Sequence, residues 1–481
     1  MPAALRASLV LPAGWAFSEA AQGALGFTVS TGAGGVEWVY TLVAPFPTVT
    51  DGINAADLKT SWLTAPPPSA PFDRLLVDSS TLAVFTELWG KPGQAVEVLP
   101  AGQLLSTAWE RRSAWAIVPF EQLHPRWKVI ALDGQNPLWK SFVAQTYPLT
   151  VHFDFNGDPA AAESARSQMQ IPSTNRDPNK LTTVVVTGVT ALVRGTAALM
   201  ESRGMTYPAR DIGDILREAD ILHINNEVPF AKNCPSPYPW SGLVFCSQPR
   251  YIELMDAIGT DVVDLSGDHF ADWGPEAMLF TLDLYRQRGW KIYGGGLNDA
   301  EAKRPALFEH NGNKIAFLGC NYKEPGYATA SPTTPGAIHC NPDWLYPAVK
   351  QVQADGYLPI VTFQHLEYYE YIARPRLQED FRGVADAGAV IVSGSQAHQP
   401  HALEFRDGAT LHYGLGNLFF DQVNTDAATA QAFIDRHVIY DNRYLSTELI
   451  SIQFVDYARA RLQTPAERTE LLKTVFKASG W

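Results

Sequence analysis

Four apolar, β-branched runs in this 481-residue chain end in side chains able to hold a metal ion or move a proton. DILHINNE ends at Glu227, and DVVDLSG leads into Asp268 and His269, with Asp272 three residues on. LPIVTFQ leads into His365, with Glu367 and Glu370 close behind, and AVIVSGS leads into Gln396 and His398. Carboxylates, imidazoles and an amide oxygen together suit one divalent ion such as Mn, Zn or Fe. Without an ion, the same groups form a titratable cluster whose members push one another's pKa values apart and supply an acid and a base. Each also has a plain structural role open to it. Glu227 and Asp268 could cap turns, His269 could be a hydrogen-bonded core residue, and His398 and His401 could sit on a surface loop. Three of the 11 histidines fall at these strand ends, and that joint placement favours function.

Other chemistries lack their residues. There is no G-x-S-x-G nucleophile turn and no Gly-Lys-Ser phosphate loop. The Gly294–Gly296 run is followed by Leu-Asn-Asp, which suits a tight turn better than phosphate.

The elements that must carry these residues alternate strand and helix. From LTTVVVTG at residue 181, buried-type strands are separated by helices such as DIGDILREA, RYIELMDAIG, PEAMLFTLDLYRQRG and RLQEDFRGVADAG. That alternation predicts an α/β domain, with ligands beyond the carboxyl ends of its strands. Residues 1–155 carry a second, smaller pattern of strands and helices and predict another α/β domain. Residues 156–180 are polar and rich in Pro, Asn and Asp, and are expected to link the two. Residues 426–481 read as an extension packed on the 181–425 domain.

Hydrophobic residues make up 46% of the chain and charged residues 18%, enough apolar material for two cores. The net charge of −13 argues against nucleic acid as a partner, and against an acidic polymer unless a local basic groove overrides it. No apolar run is long enough to span a membrane. The four cysteines bracket two Pro-rich loops, Cys234 with Cys246 and Cys320 with Cys340, and predict two local disulfides and an oxidising compartment. With no evident leader at Met1, the expectation is an extracellular or envelope protein. Any membrane association would then act through a leader or anchor outside this sequence.

In order, INNE at Glu227, GDHFADWGPEAM from Gly267, HLEYYEY from His365, GSQAHQPH from Gly394 and HYGLGN ending at Asn417 resemble the motifs of the CapA family. The resemblance covers residues 181–425 and implies a metallophosphatase-like four-layer α/β sandwich. It also implies an association with poly-γ-glutamate capsule synthesis. Three departures stand out. Gly188-Val189 replaces the family's Gly-Asp, Asp268 replaces Asn, and Gln396 replaces the first of a pair of histidines. A two-metal centre needs its bridging carboxylate, so the resemblance implies one metal at most, held by Glu227, Asp268, His365 and Gln396. His269, His398 and Asp272 would then polarise substrate or move protons, with Glu367 and Asn417 contacting it. The implied reaction is hydrolysis or transfer at an amide of an anionic, peptide-type polymer. The alternative is a non-catalytic surface protein that binds a polymer or small ligand. In the first domain, PTVTDGINAADLKTSWL and AWAIVPFEQLHPRWKVIALDG resemble parts of a periplasmic solute-binding protein.

Overall fold

The computed structural model describes residues 1–13, 15–18, 25–30, 35–238, 242–323 and 328–481. Two compact units divide the chain, Met1–Lys180 and Leu181–Trp481.

The first unit is α/β, as expected. Its sheet runs Leu25–Ser30, Thr150–Gly157, Val36–Pro45, Ala114–Pro119, Arg74–Val77 and Val96–Val98. The last three strands pair in parallel, joined by the helices Ser79–Trp89 and Ala101–Arg111. Asp78 caps the first of these, accepting from the Thr81 N–H at 2.7 Å. Residues 156–180 are not a free linker. They carry the helix Pro159–Gln168, capped by Asp158, and then Asn175 and Arg176, both buried. Asn175 exchanges hydrogen bonds with the Val39 backbone at 2.7 and 2.9 Å, which ties the stretch to the sheet. Its polar composition reflects these capping and backbone-bonding tasks.

In the second unit the strands of the two large sheets are β1 (Leu181–Thr187), β2 (Val189–Thr190), β3 (Ile221–Asn226), β4 (Val262–Asp264) and β5 (Lys291–Tyr293). They continue with β6 (Ala306–His310), β7 (Asn313–Asn321), β8 (Leu358–Gln364), β9 (Ile391–Ser395), β10 (Leu403–Arg406), β11 (Ala409–His412) and β12 (Asn417–Phe419). The last three are β13 (Gln431–Tyr440), β14 (Arg443–Phe454) and β15 (Ala460–Leu462). One sheet runs β5-β4-β3-β1-β13-β14-β15, with β2 joining β3 to β12; the other runs β6-β7-β8-β9-β11-β10. Residues 426–481 are therefore not an extension laid on the outside. Strand β13 pairs antiparallel with β1 over seven residues, from Leu181–Tyr440 to Thr187–Ile434, and closes an edge that β1 would otherwise expose.

The two-residue alternation of strand side chains explains the layering. Leu222 and Ile224 of β3 face helices Arg194–Arg203 (α1), Gly213–Arg217 (α2) and Ile252–Ala257 (α3), and share a core with Met200, Leu216 and Leu254. Helix Gly274–Arg286 (α4) adds Met278, Leu282 and Tyr285 to it. On the other sheet, Ala316, Leu318, Val361 and Phe363 face helices Pro342–Ala354 (α5) and Pro375–Asp386 (α6), through Leu345, Val349, Phe381 and Val384. The intervening residues face the opposite sheet. His223 stacks on Phe317 at 6.0 Å, and His412 bonds Asp435 at 2.6 Å. The result is four layers, helix–sheet–sheet–helix, with polar side chains between the sheets.

Candidate active site

The parallel strands of both sheets end on one side of the unit, and the candidate residues gather there. Glu227 follows β3, its N–H bonded to the Thr190 carbonyl at 3.1 Å. Asp268 follows β4, beyond a turn in which the Ser266 N–H bonds Asp264 Oδ1 at 2.8 Å. Glycine is required at Gly267, because a Cβ there would lie 2.2 Å from the Glu227 Cα. That close approach brings the two carboxylates together. Both are 1% exposed.

Gln364, the last residue of β8, joins them. Its Nε2 donates to Glu227 Oε2 at 2.9 Å and to Asp268 Oδ1 at 3.0 Å. Gln396 follows β9 with φ +76°, a left-handed conformation that costs a non-glycine residue about 1–2 kcal/mol. Such strain tends to persist where the surroundings enforce it. The Gln396 amide oxygen accepts from Gln364 Nε2; with the amide turned over, its nitrogen faces Asp268 Oδ1 at 3.1 Å and the Gln364 amide, and its oxygen faces the Lys323 ammonium at 3.3 Å. Lys323 follows β7 and donates to Asp268 Oδ2. Asn321 positions it, accepting from the Lys323 N–H at 2.7 Å while donating to the Ser266 carbonyl at 2.8 Å. Behind Gln364, Ser395 and Asn225 continue a buried hydrogen-bonded chain to Asp264, which also accepts from Thr362 at 2.8 Å.

His269 flanks the pair, its Nδ1 on Asp272 Oδ2 at 2.7 Å, and Asp272 also accepts from the Phe245 N–H at 2.8 Å. His398 bonds Asn417 Oδ1 at 2.9 Å. Glu367 lies at the exposed edge and accepts from Gln422 at 3.0 Å. His365 is placed elsewhere. Strand parity turns it toward α6, where its Nε2 meets Asp380 Oδ2 at 2.9 Å and its ring stacks on Tyr322 at 4.0 Å. Gln364, not His365, therefore points at the carboxylates. His401 also belongs to the packing, stacked on Tyr368 at 4.4 Å.

Charge follows from this geometry. Burial, reinforced by the Asp268 charge, pushes Glu227 up to about 7. Burial also works against ionised Asp268, but the His269 and Lys323 charges outweigh it and hold that carboxyl below its usual range. Burial disfavours the imidazolium of His269, yet Asp272, Glu227 and Asp268 together raise it above an ordinary histidine. His398 is lowered, chiefly by burial. The carboxylates are shut off from solvent, while Lys323 is 32% and His269 17% exposed, so the cluster presents its positive groups outward.

The position at which the sequence departs from the Gly-Asp motif is filled by packing. Val189, Ala191, Val193, Val228, Phe245 and Phe420 form an apolar cluster between His269 and His398. The expected single-metal set fits poorly here. Its imidazole is turned away, an amide nitrogen points at both carboxylates, and an ammonium already lies on Asp268. Among the described residues, no three His, Cys, Asp or Glu side chains are grouped to hold a metal ion. Gln364, Asn321 and Lys323 were missed from sequence. Each stands at a strand end like the residues that were found, and Thr362-Phe363-Gln364 carries the parity that selects Gln364.

Residues 183–422 match the model of the family described as bacterial capsule synthesis protein PGA_cap. The second unit of this chain belongs to the capsule-synthesis family. Similar relatives include the capsule biosynthesis protein CapA of Bacillus anthracis, 25% identical over 272 residues, covering 55% of this chain and 65% of that protein. The PGA biosynthesis protein CapA of Bacillus subtilis is 27% identical over 226 residues, covering 46% and 59%. The chain thus matches less than two thirds of either CapA. Among solved structures, the 5'-nucleotidase precursor of Thermus thermophilus has a TM-score of 0.34 and 15% identity, over 62% of this chain and 58% of its own. The NAD nucleotidase of Haemophilus influenzae has a TM-score of 0.36 and 10% identity, over 62% and 56%. These two likenesses are too distant to carry an argument about function.

Both expected disulfides form, Cys234–Cys246 and Cys320–Cys340. The second begins one residue before Asn321 and braces the segment that carries Lys323. No helix among the described residues is long and apolar enough to cross a membrane.

Proposed function

We propose that this protein acts in the synthesis of a poly-γ-glutamate capsule, as an exported hydrolase or transferase working on amide bonds of the γ-glutamyl chain. One observation carries the reading: beside the two buried carboxylates stand two cations, Lys323 on Asp268 and His269 on Asp272, at the open side of the cluster. An anionic polymer would be repelled by a chain of net charge −13 unless such a local field met it. The same cations are suited to a carbonyl oxygen that gains negative charge as its amide is attacked. Glu227, poised near neutrality, exchanges the proton, and Asp272 fixes the His269 ring. The family and the names of the CapA relatives support the pathway, and two disulfides support export.

Incubating a defined γ-glutamate oligomer with the protein and following chain length by mass spectrometry tests the reading. Wild type should shorten or lengthen the oligomer, and Glu227→Gln should slow this by about 10²–10⁴-fold, the usual worth of a positioned acid–base group. Equal rates in the two proteins would refute the assignment. Saturable binding with no product would instead favour a surface binding protein, a second reading that the deep burial of Glu227 and Asp268 keeps in view.

A further inference from the structure

We propose that Lys323 is a tethered cation standing where a divalent metal would otherwise sit, and that the Glu227–Asp268 centre keeps its geometry without a metal ion. The inference stands on the arrangement of the cluster and does not depend on the substrate proposed above.

Three independent features of the chain agree. First, the ammonium donates to Asp268 Oδ2 and, with the Gln396 amide turned over, faces its oxygen at 3.3 Å, two groups from the expected metal-ligand set. An ammonium offers hydrogens where an ion offers orbitals, so it satisfies the same oxygens. Second, a further oxygen of each carboxylate faces a donor. Gln364 gives Glu227 Oε2 and Asp268 Oδ1 a hydrogen each, at 2.9 and 3.0 Å. An entering cation would meet that amide nitrogen at close range. Third, the ligands an ion would need have other partners. His365 lies against Asp380 at 2.9 Å, His398 against Asn417 at 2.9 Å, and the place of the missing carboxylate is packed by Val189, Phe245 and Phe420.

Two features of the chain help to place the lysine. Asn321 fixes its backbone, and the Cys320–Cys340 bond closes the loop that carries it. A lysine on a loose surface segment would trade ion pairs with solvent and contribute little. Here its partner is 1% exposed, and removing the lysine leaves that carboxylate only the His269 charge to offset its burial. That partly compensated carboxylate is what should recruit an ion.

Metal retention tests this directly. Wild type, Lys323→Ala and the double variant Lys323→Ala with Gln396→His would be equilibrated with Mn²⁺ or Zn²⁺, desalted and assayed by mass spectrometry, with circular dichroism as a check of fold. Wild type should retain less than about a tenth of an equivalent, and the double variant about one, since two carboxylates and an imidazole then surround a vacant position toward which the Gln364 amide can turn its oxygen. A wild-type protein holding about one equivalent would overturn the proposal, as would a folded double variant holding none. Should the variants fail to fold, the wild-type melting temperature decides. It should be the same in Mn²⁺, Zn²⁺ and EDTA, and a rise of several degrees with metal would show that an ion binds the native state.

Discussion

Glu227 illustrates how one residue carries two opposing demands. It is held among hydrogen-bond donors, but burial and the Asp268 charge raise its carboxyl to about 7. A folded-state value above the unfolded one means that its contribution to stability is complete below about pH 4.5 and is lost as pH rises through about 7. Glu227→Gln removes that titration and keeps an amide oxygen for Gln364. The variant should therefore match wild type near pH 5 and exceed it by about 1–2 kcal/mol at pH 8, measured by urea unfolding. A variant less stable than wild type at pH 8 would show that the charged carboxylate is stabilising, contrary to this account. Asp268 is the counter-case, its carboxyl held below the usual range because His269 and Lys323 outweigh its burial. Much of this was visible in the sequence. Glu227, Asp268, His269 and Asp272 stand out by their places at strand ends, and they do converge. His365 was misplaced because a strand end names two adjacent residues and only the pleat decides between them. The hydrogen bond from Thr362 to Asp264 sets that pleat, and Gln364 inherits the inward direction.

At the scale of elements, the polar layer between the sheets governs the response to acid. His223 and His437 are buried there, and burial lowers them to about 3 and about 4. His401, buried near the second sheet, is likewise lowered to about 3. All three remain neutral in the fold while the unfolded chain takes up protons near pH 6.5. Stability should thus be complete above pH 6.5 and decline as pH falls toward 4, by several kcal/mol in total. Urea unfolding from pH 7 to 4.5 would show it. His437→Gln, which keeps a partner for Thr447, should make the decline shallower; an unchanged slope in that variant would remove His437 from the explanation. The strands and helices of the second unit were largely legible, since their apolar runs are long and their helices start at Pro and end near Gly. The layer between the sheets was not. Residues such as His223 and Asp435 alternate with apolar neighbours, so they look like solvent-facing positions of a half-buried sheet. The second sheet buries them instead.

For the molecule as a whole, the sequence overstated the role of segment boundaries. The polar stretch 156–180 looked like a linker, but its Asn175 and Arg176 are buried hydrogen-bonding residues of the first unit. Residues 426–481 looked peripheral, yet β13 and β14 lie in the first sheet of the second unit. The motifs placed the family resemblance over residues 181–425, the family match spans 183–422, and strands that come later in sequence complete the sheet those motifs rest on. Global charge argues against an acidic polymer, and the proposal of one rests on the local arrangement of Lys323 and His269. The most direct test of that claim is the binding of a defined γ-glutamate oligomer in EDTA-containing buffer, compared between wild type and His269→Asn at two salt concentrations. The account predicts saturable, salt-sensitive binding that survives EDTA and weakens by about tenfold or more in the variant, as expected for loss of a desolvated charge contact. Binding abolished by EDTA, or unaffected by loss of His269, would contradict it.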